Sequence, residues 1–487
     1  MYKSFMYRPR AAAHYSFLCS RRIGLAFVAS MALTLVACGG GGNESSPPPT
    51  SAVPPADPLV PATPVASYTV SGTVSGLLGT GLVLQNNAGE DLPIASNGVF
   101  SFATALVTGA NYAVTVKSQS NILSRVCTVS NGSGTIANAA VTDVVVNCAA
   151  PAARFAYVAN YNDNNVSAYT IDTTTGALSP MTGTPVPTGG QPGDITVEPT
   201  GRFAYVANRA SNNVSAYTID ATTGALTPMT GTPAPTGLYP YSVTVDPTGR
   251  FAYVVNQKSH NVSAYTIDAT TGALSPMTGM PVPTGHIPWS VTVDPTGRFA
   301  YVANSGSNNV STYTIDATTG ALSSMTGTPV PTGGEPTDIT VDPTGRFAYV
   351  ANRWSSNVSA YTIDATTGAL SPMTGKPVPT ETTPESITVD PTGRFAYVGN
   401  AHSDTVSAYT IDATTGALSP MNGLPVATGS SPYAVAVDPT GRFAYVANYG
   451  NNNVSAYSID ATTGALSQMT GTPVATRRGP YRLVLSR

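Results

Sequence analysis

The chain has 487 residues, only 10% of them charged, and its formal net charge is −3. A chain so poor in charge has no basic face able to neutralise a run of phosphates, which argues against a nucleic acid partner. It also lacks a nucleophile elbow, an H-E-x-x-H helix and a C-x-x-C pair, so we expect no metal site and no cofactor from those motifs.

Residues 1–37 have the parts of an export signal. A basic region is followed by an apolar run, 23–37, which is shorter than the roughly 20 residues a membrane-spanning helix needs. The run ends in Leu35-Val36-Ala37-Cys38-Gly39, which resembles the lipobox of bacterial lipoproteins. The resemblance implies that Cys38 is lipidated and anchors the protein to a membrane of the bacterial cell envelope. Gly40, in place of Asp, resembles the sorting signal for the outer membrane in some bacteria, which implies anchoring on the periplasmic or the outer surface of that membrane. A cleaved signal that leaves a soluble protein is the alternative.

Residues 38–66 follow as a Pro-, Gly- and Ser-rich segment that cannot bury a core and is expected to be an extended tether. Residues 67–149 hold short alternating runs separated by Gly, Asn and Ser turns, which predicts a small β-sandwich. Cys127 and Cys148 remain as an even pair once the leader and lipidation cysteines are set aside. In an exported domain such a pair predicts a disulfide.

Residues 151–487 repeat one 48-residue unit. The first copy starts at Arg154, the second at Arg202, and each later copy 48 residues further on. Each unit has four short apolar or alternating runs, which we name a (V-T-V-D), b (R-F-A-Y-V-A-N), c (N-V-S-A-Y-T-I-D) and d (A-L-S-P-M-T). Four strands per unit at this period are typical of a propeller blade, so the sequence predicts an all-β, seven-bladed β-propeller. Run d carries a proline in most copies, and proline belongs on edge strands, so d should be outermost.

The two ends of this region predict how the ring closes. The first copy begins directly with run b at Arg154, whereas the last is followed by a lone run a, 480–485. We therefore expect the C-terminal strand to complete the first blade, which would hide both open edges.

The loops predict a functional face. The a–b and c–d loops are nearly identical in all copies, whereas the b–c and d–a loops, which share the opposite face, differ. Loops on a rigid scaffold carry binding and chemistry, so this variable loop face is the expected working surface. An ion pair is expected there between Arg482 and Asp194, which belong to adjacent blades. The candidate binding residues on this face are Asp194, Tyr241, Trp289, Asp338, Trp354, Asp404, Tyr433, Arg478 and Arg482.

The Y-V-A-N and N-V-S-A-Y-x-I-D-x-x-T-G-A-L motifs closely resemble the YVTN-type propellers and the lactonase family typified by β-propeller 6-phosphogluconolactonases. The resemblance covers 151–487 and implies hydrolysis of a sugar lactone at the channel mouth. Such chemistry needs a base, an acid and a cation for the oxyanion. The side chains of suitable type on the loop face are His260, His286, His402, Glu335, Glu385 and Arg353.

A second hypothesis stays open, because the motifs that carry the resemblance are scaffold residues. The propeller would then be a non-catalytic binding module that recognises a protein or a glycan through its loop face. In both cases we expect a monomer.

Overall fold

The computed structural model describes residues 65–487, apart from 123–124, 150, 232, 280, 328, 376 and 422–424. The described residues form strands and turns without helices. That part of the chain therefore offers no helix that could cross a lipid bilayer. The export signal, Cys38 and nearly all of the tether lie outside the described residues, so the lipid anchor stays a prediction.

Residues 67–149 form two four-stranded sheets and one short two-stranded pairing. Their ten strands are β1 (Ser67–Tyr68), β2 (Val70–Ser75), β3 (Leu82–Asn86), β4 (Glu90–Ile94), β5 (Gly98–Ser101), β6 (Leu106–Val107), β7 (Asn111–Ser118), β8 (Val126–Ser130), β9 (Ser133–Thr135) and β10 (Val141–Ala149).

The sheets β5-β2-β10-β8 and β4-β3-β7-β9 share one hydrophobic core, so this region is a β-sandwich. Strands β2 and β10 run parallel and very close: a Cβ at Gly72 would lie 1.9 Å from the carbonyl oxygen of Val144, so only glycine fits. Cys127 of β8 and Cys148 of β10 are direct cross-strand partners and form a disulfide.

The repeats form seven separate sheets, each one blade, with strands in the order a, b, c, d. The a strands are Pro480–Ser486 (blade 1), Pro192–Val197, Pro240–Val245, Pro288–Val293, Pro336–Val341, Pro384–Val389 and Pro432–Val437. The b strands are Phe155–Asn160, Phe203–Asn208, Phe251–Asn256, Phe299–Asn304, Phe347–Asn352, Phe395–Asn400 and Phe443–Asn448.

The c strands are Asn165–Ile171, Asn213–Ile219, Asn261–Ile267, Asn309–Ile315, Asn357–Ile363, Thr405–Ile411 and Asn453–Ile459. The d strands are Leu178–Pro180, Leu226–Pro228, Leu274–Pro276, Leu322–Ser324, Leu370–Pro372, Leu418–Pro420 and Leu466–Gln468. The predicted seven-bladed propeller is confirmed, with d at the outer edge of each sheet.

Each blade also has a fifth strand that the sequence did not predict. These two-residue e strands pair with the start of c, while d pairs with its end. They are Val186–Pro187, Ala234–Pro235, Val282–Pro283, Val330–Pro331, Val378–Pro379, Val426–Ala427 and Val474–Ala475. Two residues are too few to show an alternating pattern, and proline argues against a strand, so no sequence signal marks them.

The C-terminal strand closes the ring as predicted. Pro480–Ser486 pairs antiparallel with Phe155–Asn160, with Val158 opposite Leu483. The a strands of blades 7 and 2 flank it, so it takes the inner position of blade 1. Both edges that would otherwise be open are therefore paired.

Neighbouring blades are joined by hydrogen bonds that recur around the ring. The hydroxyl of Tyr205 in strand b donates to the carbonyl of Gly272 in the next blade at 2.8 Å. The hydroxyl of Tyr217 in strand c donates to Pro187 of the preceding blade at 2.8 Å. The hydroxyl of Tyr445, in strand b of blade 7, likewise donates to the carbonyl of Gly176 in blade 1. The bonds from the tyrosines of strand b are buried, those from strand c are partly buried, and together they join each blade to both of its neighbours.

Candidate functional site

The variable loops form one connected layer because side chains of the b–c loops accept hydrogen bonds from backbone amides of the d–a loops. Asn212 Oδ1 accepts from the amide of Tyr239 at 2.8 Å, and Ser259 Oγ accepts from the amide of Leu238 at 2.8 Å. The same two bonds recur in most blades. The loop face is therefore a rigid platform on which single residues differ from copy to copy.

His260 occupies one of these capping positions. Its backbone φ is 52°, and its Nδ1 accepts a hydrogen bond from the amide of Ile287 at 3.1 Å. Five of the six matching positions hold Asn164, Asn212, Asn308, Asp404 and Asn452, which cap in the same way, and the sixth holds Ser356. An Nδ1 that accepts leaves the proton of neutral imidazole on Nε2, which is then a donor. This geometry gives His260 a structural role and leaves it no free basic nitrogen.

The central channel is lined near the loop face by one residue from each a strand, two positions after its first proline. These residues border a cavity of about 190 Å³ and are Asp194, Ser242, Ser290, Asp338, Ser386, Ala434 and Arg482. Several are tied to the next blade. Asp338 Oδ2 accepts from the amide of Ile387 at 3.1 Å, and Asp338 Oδ1 accepts from Ser290 Oγ at 2.8 Å.

The ion pair expected between Arg482 and Asp194 is not among the direct ion pairs of the described residues. Arg482 Nη1 donates instead to the carbonyl of Tyr433 at 2.7 Å. Asp194 accepts from the amides of Ile195 and Val243, at 2.8 and 3.0 Å. Burial raises the pKa of Asp194 to about 6, although the positive charge of Arg482 on the adjacent blade acts to lower it. Arg482 and Asp194 therefore do not contact each other, because each bonds to backbone groups instead. Their charges interact only at a distance.

An aromatic cluster lies one position before this polar ring on the a strands. The buried hydroxyls of Tyr241 and Tyr481 hydrogen-bond to each other, although the residues belong to blades 3 and 1. They meet above blade 2 because Gly193 occupies its equivalent position, where a Cβ would lie 2.9 Å from the carbonyl oxygen of Tyr241. Tyr433 packs on Tyr481, with 4.9 Å between ring centroids. Tyr241 is 3% exposed, so it offers a ligand almost no surface.

An open cleft of about 450 Å³ lies beside this cluster, over blades 3 to 5. Its lining brings together four of the predicted catalytic residues and one predicted binding residue. The lining residues are Gln257, Lys258, His260, His286, Ile287, Trp289, Ser305, Glu335 and Arg353. Among them, the imidazole of His286 is exposed and stacks on that of His260, with 3.9 Å between ring centroids.

Arg353 is the central cation of this cleft. Its Nε forms an ion pair with Glu385 Oε1 at 3.1 Å, without hydrogen-bond alignment, and its guanidinium lies 5.7 Å from the Trp289 ring centroid. The arginine side chain is 33% exposed and that of Glu385 only 2%. Burial raises the pKa of Glu385 to about 7, although Arg353 acts to lower it. Glu385 therefore holds Arg353 from behind and does not line the cleft itself.

The other predicted residues lie elsewhere on the loop face. His402 Nδ1 contacts Thr383 Oγ1 at 2.8 Å, outside the cleft lining. Asp404 caps a loop by accepting from the amide of Ser431 at 2.8 Å. Arg478 pairs with Asp163, Nε to Oδ1, at 2.8 Å. Trp354 is 79% exposed beside Arg353.

Four residues that line the cleft were not selected from the sequence: Gln257, Lys258, Ile287 and Ser305. They occupy loop positions where other copies carry different residues, so comparison of the seven units marks their loops but not the cleft that they share. Within the described residues, no group of three or more His, Cys, Asp or Glu side chains could hold a metal ion.

Comparison with protein-family models gives a match to the family described as "Lactonase, 7-bladed beta-propeller", over residues 147–287, 286–384, 329–426 and 374–480. Curated protein sequences give no match. Among solved structures, a candidate 6-phosphogluconolactonase from Bacteroides uniformis is similar, with 18% identity and a TM-score of 0.60. The aligned region covers 68% of this chain and 98% of that protein.

The periplasmic gluconolactonase PpgL of Pseudomonas aeruginosa is similar to the same degree, with 20% identity and a TM-score of 0.59. Here the aligned region covers 68% of this chain and 99% of that protein. At these identities the likeness to solved structures establishes the fold alone.

Proposed function

The chain belongs to the seven-bladed β-propeller lactonase family, and from that premise we propose that it hydrolyses a sugar-type lactone in the loop-face cleft while anchored to the cell envelope. One observation carries the proposal: Arg353, His286, Glu335 and Trp289 meet around a single cavity of about 450 Å³. That volume lies in the range of small-molecule sites.

The proposed reaction uses Arg353 as the electrophilic group. Water attacks the lactone carbonyl, and the developing oxyanion is stabilised by the guanidinium, which lies over the ring of Trp289. Glu385 is a positioning residue, because its buried carboxylate forms an ion pair with Nε and so holds the arginine side chain beside the cleft.

We assign the general base to His286. Its exposed imidazole can take a proton from the attacking water and return it to the ring oxygen when the carbonyl carbon–oxygen bond breaks. One residue then serves as base and acid in turn, and the products are a hydroxyl and a carboxylic acid. Glu335, exposed on the same cleft, is the competing candidate for this role.

The decisive experiment is pH-stat titration of acid release over a panel of sugar lactones, δ-lactones and γ-lactones. Arg353→Gln should lower kcat/KM roughly 100-fold or more, as removal of an oxyanion donor does. The matched control is Arg477→Gln, which removes an exposed cation from a distant loop of the same face. His286→Ala should lower kcat roughly 100-fold or more. If Glu335→Gln does so instead, the base assignment passes to Glu335.

Folded protein that opens no member of the panel faster than buffer would refute the proposal. A non-catalytic module that binds a protein or glycan through its loop face would then be favoured, and the exposed ring of Trp354 suits such a role.

The anchoring proposal rests on the lipobox-like segment that ends at Cys38. Incorporation of labelled palmitate into the wild type but not into Cys38→Ser supports it. Equal release of both proteins in soluble form refutes it.

A further inference from the structure

Three large hydrophobic side chains are exposed on the described part of the propeller, and all belong to the variable loops of blades 3 to 5. They are Leu238, Ile287 and Trp354, which are 53%, 36% and 79% exposed. We call these three residues the apolar rim. Single exposed hydrophobics are common on protein surfaces, whereas their restriction to one side of one face calls for an explanation.

Each rim residue is held next to the cleft by a backbone hydrogen bond. The amide of Lys258 donates to the carbonyl of Leu238 at 3.2 Å, and the amide of Ser305 donates to that of Ile287 at 2.9 Å. Lys258, Ser305 and Ile287 itself line the cleft. Trp354 follows Arg353 directly in the chain, and its amide donates to Gly334, the neighbour of Glu335, at 3.1 Å. One rim residue therefore lines the cleft, and the other two adjoin residues that line it.

The other blades serve as an internal comparison. The positions that match Leu238 in the remaining d–a loops hold only small, polar or charged residues: Gly190, His286, Gly334, Thr382, Ser430 and Arg478. The positions that match Trp354 hold Asn162, Ala210, Lys258, Gly306, His402 and Gly450. Because the scaffold tolerates polar residues at these sites, folding does not require the apolar ones.

We infer that the lactone opened in this cleft carries an apolar arm, such as an unbranched alkyl or acyl chain, that lies against the apolar rim while the ring faces Arg353. The inference rests on the proposed function and specifies its substrate class. Three side chains are too small an apolar surface for a stable protein partner, which needs about 800 Å² on each side. A small molecule with a polar ring in the cleft and an apolar arm on the rim matches the volume of the cleft, its polar lining and the apolar side chains beside it.

The test is a series of δ-lactones that differ only in the length of an unbranched alkyl substituent, from none to about seven carbons. Full burial of a methylene would raise kcat/KM about fourfold, and a half-open rim should give roughly twofold for each of the first few methylenes. In the variant Leu238→Ser/Ile287→Ser/Trp354→Ser this dependence on chain length should disappear.

The matched control is Ser430→Leu, which places leucine at the position equivalent to Leu238 on a remote blade and should keep the wild-type slope. Near-ultraviolet circular dichroism verifies that each variant is folded. Turnover that does not vary with chain length in the wild type overturns the inference and leaves lactone hydrolysis standing. The absence of turnover for every member, sugar lactones included, refutes the proposed function and the inference with it.

Discussion

Replacing Glu385 with glutamine should change how the stability of the propeller depends on pH. The buried carboxyl has a pKa of about 7 in the folded protein, against an ordinary value of 4.5. Between these values the folded state holds a proton that the unfolded state has lost, so the unfolding free energy decreases as the pH rises. The difference between the two pKa values corresponds to about 3 kcal/mol. Glutamine has nearly the same shape and does not titrate.

Urea unfolding of the wild type and of Glu385→Gln, followed by tryptophan fluorescence at pH 4.5 and at pH 8, measures this effect. Relative to the wild type, the variant should gain about 3 kcal/mol more at pH 8 than at pH 4.5. Taking the difference between the two proteins cancels Asp194, the other channel carboxyl whose pKa is raised. A wild-type-to-variant difference that is the same at both pH values would refute the argument that burial outweighs the charge of Arg353.

Three further predictions concern the stability of the propeller. Deletion of residues 480–487 removes the inner strand of blade 1 and should abolish cooperative thermal unfolding, whereas deletion of Arg487 alone should leave the transition cooperative; two equally sharp transitions would contradict this. Gly193→Ala should destabilise the protein by about 1–3 kcal/mol in urea unfolding, because the added Cβ would lie 2.9 Å from the backbone oxygen of Tyr241; an unchanged midpoint would show that the strand can move freely. Tyr481→Phe leaves the buried hydroxyl of Tyr241 without its partner and should cost about 1–3 kcal/mol, visible as a lower Tm, whereas an equal Tm would mean that the bond contributes nothing.

Most of the fold could be predicted from the sequence, because the 48-residue period repeats the same strand and turn signals seven times. The closing strand was predictable as well, since a lone run a at one end matches a missing one at the other. The e strands were not, because a pair such as Val186–Pro187 has neither periodicity nor a proline-compatible strand pattern. An e strand forms by pairing with the start of strand c, and this pairing exists only in the folded blade.

From the sequence, the candidate site could be assigned to the variable loop face but not to a particular cleft. The repeat comparison placed His260 and His286 on the same surface, but it could not reveal that one of them caps a loop while the other stacks on it. It also could not reveal that Glu385 is buried behind Arg353 or that Arg482 bonds to a backbone carbonyl instead of Asp194. These outcomes depend on side-chain directions at strand bulges, such as the one between Pro384 and Ser386.

The register by which Pro480–Ser486 joins Phe155–Asn160 has a consequence for protein engineering. The a–b pairing of blade 1 matches that inside the other six blades, with the same one-residue irregularity near the inner proline. The junction between these two strands, at the two ends of the propeller, is thus equivalent to the a–b pairing of any other blade. A circular permutant of the propeller that joins Arg487 to Arg154 through a short turn, and opens the chain at another a–b loop, should form the same seven-bladed propeller. Directed evolution could then move the chain ends, or exchange blades other than blades 3 to 5, which carry the cleft and the apolar rim.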